Sequence, residues 1–215
     1  MKIKVIRATE KPGELLKLAC NHTMVAKPEA FKEASPELIK FLIEAKHRSV
    51  FEHCKITFEI SEVSRSLMAQ LTRHRAGVFT CQSQHYQDYS NVPAIMTGYD
   101  GLDKAILTAY KAYTQAVETG LVAKEVARQV LPNAASVNIL WTVDARNLFD
   151  FLEQRTCQRN VPEMVDFAWR LRTKALEWWP ELFKLAGPYC HQYQCCNQGN
   201  MQADLCKEIG IELCN

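Results

Sequence analysis

The sequence predicts an α+β fold, a small, mainly antiparallel sheet packed with helices. Two stretches alternate apolar and polar residues with the period of a half-buried strand: Ile3-Lys4-Val5, and Ile56-Thr57-Phe58-Glu59-Ile60. From Leu102 almost to the end the pattern is helical instead. Strands therefore do not alternate with helices along the chain, and no Walker or Rossmann glycine pattern is present, which argues against a doubly wound parallel sheet. At 215 residues the chain is long enough for one well-buried domain and short for two, and it carries no internal repeat. The boundaries expected are a main domain over residues 1–188 and a cysteine-rich extension over 189–215.

In chain order, Ile3 and Val5 mark the first strand, and Pro12 opens a short helix carrying Leu15, Leu16 and Ala19. Ser35-Pro36 is a cap followed by proline at the first helical position, and the helix it opens sets Leu38, Ile39, Leu42 and Ile43 on one face. After Phe51-Glu52-His53 the second strand follows. Ser61 is the expected cap of the next helix, with Val63, Leu67 and Leu71 recurring every four residues. That helix is expected to end at Ala76-Gly77, leaving Gln70, Arg73 and His74 off its apolar stripe. Asn91 to Gly101 reads as a connection. Four helices should follow: one facing inward with Ile106, Ala109, Tyr110, Tyr113 and Val117 and ended by Gly120; one with Val122, Val126 and Val130, stopped by Leu131-Pro132; one capped by Asp144 with Leu148, Phe149 and Leu152 inward; and one opened by Pro162 with Met164, Ala168, Leu171, Ala175 and Trp178.

A formal net charge of +2 does not suggest a nucleic-acid binder, and 47% hydrophobic with 23% charged residues argues against long disorder. Charge returns too soon after Met1 for a signal peptide or a membrane span, so a cytoplasmic protein is expected. Five of the nine cysteines (Cys190, Cys195, Cys196, Cys206 and Cys214) fall in the last 26 residues. Without an export signal disulfides are disfavoured, and thiols or a metal site are expected instead.

The richest stretch chemically runs from Gln70 to Tyr86. Arg73 and Arg75 flank His74, and hydroxyl, amide and imidazole side chains follow. Forked guanidiniums recognise phosphate in two-point contacts, so the stretch reads as an anion-binding wall beside a loop able to hydrogen-bond a heterocycle. The competing reading is a basic helix end that complements the helix dipole. Arg73-His74-Arg75, seven residues, then Ser83 resembles the signature of the flavin-dependent thymidylate synthases, with Gln70 before it and Tyr86 after it also agreeing. Three further segments are similar to that family in the same order. They are Glu52-His53 before a strand, Ala127-Arg128-Gln129-Val130-Leu131-Pro132, and the run from Trp141 through Phe151 to Arg155.

The resemblance implies a homotetramer with shared active sites, FAD as cofactor, NADPH and methylenetetrahydrofolate as co-substrates, and a deoxypyrimidine monophosphate, dUMP, receiving the carbon at C5. Ser83 and Arg155 are the implied catalytic residues. His53, Arg73, His74, Arg75 and Asp150 are implied at the cofactor. Gln70, Arg73, Gln82, Ser83, Gln84, His85, Arg128 and Arg155 are implied at the nucleotide. Without the resemblance, His53 is a structural histidine at a strand mouth, Arg128 an ion pair with Glu125, and Arg155 a cap on helix-end carbonyls.

The chain departs from the family pattern mainly in the nucleotide loop. Val78-Phe79-Thr80-Cys81 stand where Ser-Val-Asn-Glu is common, and Gln84-His85-Tyr86 where Gly-Arg-Tyr is common. A frequent Asn is Asp150, and Asn160-Val161-Pro162-Glu163 replaces Ala-Gln-Trp-Glu. Three readings follow: ordinary dTMP synthesis; a hydroxymethyl product or dCMP as substrate; or a flavin- or nucleotide-binding relative without catalysis. Cys81 is either a thiolate nucleophile activated beside Arg73 and Arg75, or a small space-filling residue. No metal is expected in the main domain; in the extension the candidate ligands are Cys190, Cys195, Cys196 and Cys206.

Overall fold

A computed structural model describes residues 1–24, 33–120, 122–199, 202–208 and 210–214. The chain runs β1 (Lys2–Ala8), α1 (Pro12–Met24), α2 (Pro36–Glu44), a 3-10 turn (Arg48–His53), β2 (Lys55–Ser64), α3 (Arg65–Leu71), β3 (Val78–Cys81) and α4 (Asp100–Glu118). It continues through α5 (Lys124–Ala127), a second 3-10 turn (Arg128–Val130), β4 (Ser136–Asp144), α6 (Ala145–Arg155), α7 (Pro162–Trp178), α8 (Pro180–Phe183), α9 (Tyr189–Tyr193) and α10 (Asp204–Glu208).

The sheet has four strands in the order β1-β2-β4-β3. Hydrogen bonds at the strand ends give its sense. The Thr9 N–H donates to the Lys55 carbonyl (2.8 Å), joining the end of β1 to the start of β2. The Ala145 N–H donates to Cys54 O (2.8 Å) and the Arg65 N–H to Ala135 O (3.0 Å), so β4 runs against β2. Each of these pairings is antiparallel, and the fold is α+β as expected.

Two compact units divide the chain. One holds residues 1–2, 59–75 and 79–141; the other holds 3–58, 76–78 and 142–215. In the first, Tyr89, Tyr113, Ala127 and Ala135 form a buried cluster edged by Val92, Tyr110, Val117 and Leu131. The Tyr113 hydroxyl accepts from the Tyr89 N–H (3.1 Å), so the aromatic body is buried and its polar tip is satisfied. In the second, α6 packs on α7 through the edge-on pair Phe151 and Phe167, and Phe51 packs on Trp179. Arg172 donates to the carbonyls of Ala186 (2.6 Å) and Lys184 (3.2 Å), binding the chain after α8 back onto α7. Among the described residues no helix is long and apolar enough to cross a membrane.

Several elements differ from expectation. The cap of α3 is Ser64, whose Oγ accepts from the Leu67 N–H (2.9 Å), and not Ser61. The strand continues past Ser61 because Glu62 takes a positive φ of 58°. Burial slips by one residue there, so Ile60 and Val63 are both inward where strict alternation would separate them. The helix then ends at Leu71, before the two arginines, where both the N–H and the hydroxyl of Thr72 donate to Met68 O (2.9 Å each). Val78–Cys81 is a strand rather than loop. The expected helix over Val122, Val126 and Val130 is only the short α5 and a 3-10 turn, with those three valines exposed. Ser136–Asp144, read as helical, is β4, whose inward side chains are Val137, Ile139, Trp141 and Val143. The caps at Ser35 and Asp144 stand as expected, accepting from Leu38 N–H (3.2 Å) and Asn147 N–H (2.9 Å).

Candidate active site

In the first unit α3 delivers the signature. Leu67 and Leu71 are buried and anchor the helix, and the chain that leaves it turns through a His74 N–H bond to Leu71 O (3.0 Å). Arg73 and Arg75 are exposed and His74 half-buried. Ion pairs among the described residues do not include Arg73, Arg75 or Arg128. These guanidiniums keep their donors turned to solvent, which suits an anionic ligand. Gln70, half-buried, lies one turn before them on α3.

The nucleotide loop separates its residues by task. Gln82 extends the β3 ladder: its N–H donates to Asn138 O (2.8 Å), and its side-chain oxygen accepts from the Asn138 N–H (3.1 Å). Ser83 is exposed, and its hydroxyl accepts from the His85 N–H (3.1 Å), which fixes the turn and leaves the hydroxyl proton available. Gln84 is 8% exposed, and its Nε2 has no partner among the described residues. A buried amide without an acceptor costs roughly 1–3 kcal/mol, so this donor is primed for a ligand carbonyl or phosphate oxygen. His85 sits 3.9 Å from the Glu125 carboxylate and edge-on to the exposed Tyr86. Glu125 thus faces His85, and the surface pair with Arg128 that is the alternative to a nucleotide-binding role is not formed among the described residues.

Cys81 does not have the environment expected of a nucleophile. Burial pushes its thiol above the ordinary range, and the cation that opposes this is Arg65 rather than Arg73 or Arg75. Beside it Phe79 stacks flat on Trp141, with centroids 5.5 Å apart. The replaced segment is therefore a packed strand edge.

In the second unit His53 closes the 3-10 turn before β2 and is exposed. It lines a cavity of about 590 Å³ together with Leu15, Leu18, Ala19 and Val50 and the polar side chains of His22, Thr23, Ser49 and Glu52. Asp150, expected at the cofactor, lies on α6 and is tied to Arg48 (2.8 Å), with Arg146 3.8 Å away. Its carboxyl is pushed above the ordinary aspartate range by burial, against the opposing pull of Arg48. Arg48 also holds Glu153 (2.9 and 3.3 Å) and lies over the Phe149 ring (4.8 Å), while Gln192 donates to Glu153 (2.8 Å). Sequence reasoning missed Arg48, since nothing local distinguishes it from any surface arginine.

Arg155, the last residue of α6, donates through Nη1 to Asn160 Oδ1 (3.0 Å). The Asn160 amide donates in turn to the carbonyls of Gln154 (2.8 Å) and Cys157 (3.0 Å). Asn160 thereby fixes both the turn after α6 and the direction of the guanidinium. Sequence reading noted it only as a departure. The signal was present: an Asn five residues past a helix-end Arg can reach back to free carbonyls.

In the extension Cys195 is joined to Cys214 by a disulfide, contrary to the expectation of thiols or a metal site, which removes Cys195 from the free candidate ligands. Cys190, Cys196 and Cys206 are free, as are Cys20, Cys54, Cys81 and Cys157.

Comparison with known proteins gives these positions a context. Residues 4–181 match the sequence model of the family described as thymidylate synthase complementing protein. Flavin-dependent thymidylate synthase of Sulfolobus acidocaldarius is 32% identical over 204 residues, spanning 88% of this chain and 78% of that one. That of Geobacter sulfurreducens is 30% identical over 232 residues, spanning 97% and 96%. Among solved structures, a flavin dependent thymidylate synthase, ThyX, from Helicobacter pylori complexed with FAD and dUMP superposes with a TM-score of 0.71 at 17% identity, covering 87% of this chain and all of that one. With the ordered Arg-His-Arg, Ser83, Arg128 and Arg155 positions already in view, these matches show that the chain belongs to the flavin-dependent thymidylate synthase family.

Proposed function

We propose that this chain uses FAD to convert dUMP to dTMP, with methylenetetrahydrofolate as carbon donor and NADPH as reductant. The observation that carries the reading is the pair of exposed guanidiniums, Arg73 and Arg75, left without a carboxylate just before a loop that holds the unpartnered Gln84 amide. FAD and dUMP both present phosphate, and dUMP also presents ring carbonyls; cationic forks and an orphaned amide donor are the complementary chemistry. The cavity beside His53 offers both apolar side chains (Leu15, Leu18, Ala19, Val50) and polar ones (His22, Thr23, Ser49, Glu52), a mixed lining that suits a ring system with polar edges.

In this reading Arg73, His74 and Arg75 bind the cofactor's anionic part, with His53 on its apolar part. Arg128 neutralises the nucleotide phosphate. Ser83 and His85 line the nucleotide, and Arg155, oriented by Asn160, stabilises negative charge developing on the pyrimidine. The bound flavin, once reduced, supplies the hydride, and the chain supplies position and charge. Asp150 acts through Arg48 and Arg146, holding α6 rather than the cofactor itself. Gln82 acts as backbone support. The exposed apolar side chains Tyr99, Leu102 and Leu107 on and beside α4 support assembly into a homotetramer, and the cytoplasm is the proposed compartment.

The test is an anaerobic reaction of the purified protein with FAD, NADPH, methylenetetrahydrofolate and either dUMP or dCMP, with product identified by mass. Thymidylate from dUMP is expected. A hydroxymethyl product, turnover with dCMP alone, or bound flavin with no product would overturn the reading.

A further inference from the structure

We propose that Cys157, Cys190, Cys196 and Cys206 form a four-thiolate site for one Zn²⁺ ion that clamps the C-terminal extension onto the turn after α6. All four belong to the same unit and line one cavity of about 450 Å³. They reach it from four places: Cys157 from the turn between α6 and α7, Cys190 from α9, Cys196 from a short parallel bridge with Leu213, and Cys206 from α10. All four are free thiols, whereas the neighbouring Cys195 is bonded to Cys214. Cys157 was absent from the sequence-based set and takes the place of Cys195.

The backbone at three of these positions is fixed independently of any metal. The Cys157 carbonyl accepts from Asn160 (3.0 Å). The Cys196 N–H donates to Glu212 O (2.7 Å), its carbonyl accepts from the Cys214 N–H (2.9 Å), and the Cys206 N–H donates to Ala203 O (3.0 Å).

The extension supplies a reason for such a site. Among its described residues only Cys196 and Cys206 are buried, and its two helices have five residues each. So small an element has almost no apolar core and too little helix to stand alone, the condition under which a covalent or metal staple is used. Four cysteines and no other donor is the ligand set of a structural zinc site, and such sites acquire their final shape with the ion. Among the described residues no three His, Cys, Asp or Glu side chains are placed to hold a metal ion as they stand. Closing the shell therefore requires the thiols to change staggered rotamer within the cavity they line. Four thiolates around Zn²⁺ leave two negative charges, and Arg155 and Arg159 on the same cavity wall offset them.

The experiment is metal analysis of the full-length protein, produced with zinc in the medium and purified with reductant and no chelator, followed by Co²⁺ titration of the metal-free form. About one zinc per chain and thiolate-to-cobalt absorption bands of a tetrahedral centre are expected. Cys157→Ser should lose both, and Cys195→Ser should keep both. No stoichiometric zinc and no such bands in the wild-type protein would overturn the proposal, and so would full metal retention by Cys157→Ser. The wild-type cobalt spectrum decides the question even if a variant fails to fold. Thymidylate formation by a protein that binds no metal would sink this inference and leave the proposed function intact.

Discussion

Two groups of arginines in this molecule share a charge and differ in what surrounds it. Arg73 and Arg75 lie just past the end of a short helix, exposed and outside every ion pair of the described residues. Arg48 is packed against Phe149 with two carboxylates and Gln192 closing the network around it. Arg48 spends its two terminal nitrogens on carboxylates of the fold, while its buried Nε has no partner among the described residues; a guanidinium engaged in this way contributes to stability, and one whose donors face solvent contributes nothing until a ligand arrives. Arg155 stands between the two cases: it is half-buried and aimed by Asn160, yet lies on a cavity wall.

The sharpest test of that division is Arg155. Arg155→Ala should lower turnover by roughly 10²–10³-fold, the scale of losing one donor to developing charge, measured in the anaerobic assay at saturating dUMP. Arg155→Lys should recover only part, since it restores the charge without the fork.

Arg48→Met should act on the fold instead. Leaving Asp150 with Arg146 alone and Glu153 with the Gln192 amide alone should cost roughly 2–3 kcal/mol, below the fully buried case because both carboxylates keep solvent contact, read from the urea midpoint. The same variant sharpens a pH effect. Asp150 is an acid raised above its ordinary range by burial, so the folded chain holds its proton more tightly than the unfolded chain, and its contribution to stability falls as pH rises. Removing Arg48 takes away the opposing charge. Stability of Arg48→Met should therefore decline more steeply than that of the wild type as pH rises from about 4, and an equal slope in both proteins would break the argument.

Arg73→Ala should show the opposite pattern, with the urea midpoint unchanged and flavin affinity weakened about 10- to 100-fold, the equivalent of one charge-assisted contact. A drop in stability would place Arg73 with Arg48. The smallest effect belongs to Cys81→Ser. Turnover should stay at the wild-type level, because the thiol is held protonated in a packed strand edge.

What the sequence made legible follows the length and clarity of each period. The α4, α6 and α7 faces were readable because Ile106 with Tyr113, Leu148 with Leu152, and Met164 with Leu171 repeat at helical spacing and are buried. β4 was misread although Val137, Ile139, Trp141 and Val143 alternate cleanly; a helical reading carried over from both flanks obscured four alternating residues. The strand β3 is hidden because Val78–Cys81 is only four residues long and lies between the signature and a run of polar residues that reads as loop. The cap at Ser64 depended on the positive φ of Glu62, which shifts the register by one and has no local sequence mark. In the candidate site, Arg73, Arg75, Arg128 and Arg155 are carried by ordered motifs and Asn160 by contacts within six residues of itself, while Arg48 acts on carboxylates more than a hundred residues away that only the tertiary fold brings to it.

The pairing of Cys196 with the segment from Glu212 to Cys214 has a practical result. Two backbone hydrogen bonds, 2.7 and 2.9 Å long, hold the last strand-like residues in place without help from sulfur. If the Cys195–Cys214 bond is reduced, that ladder still keeps the two thiols at high effective concentration. A cycle of reductant and oxidant should therefore regenerate this same pair in preference to shuffled ones, which makes the terminus a self-registering latch.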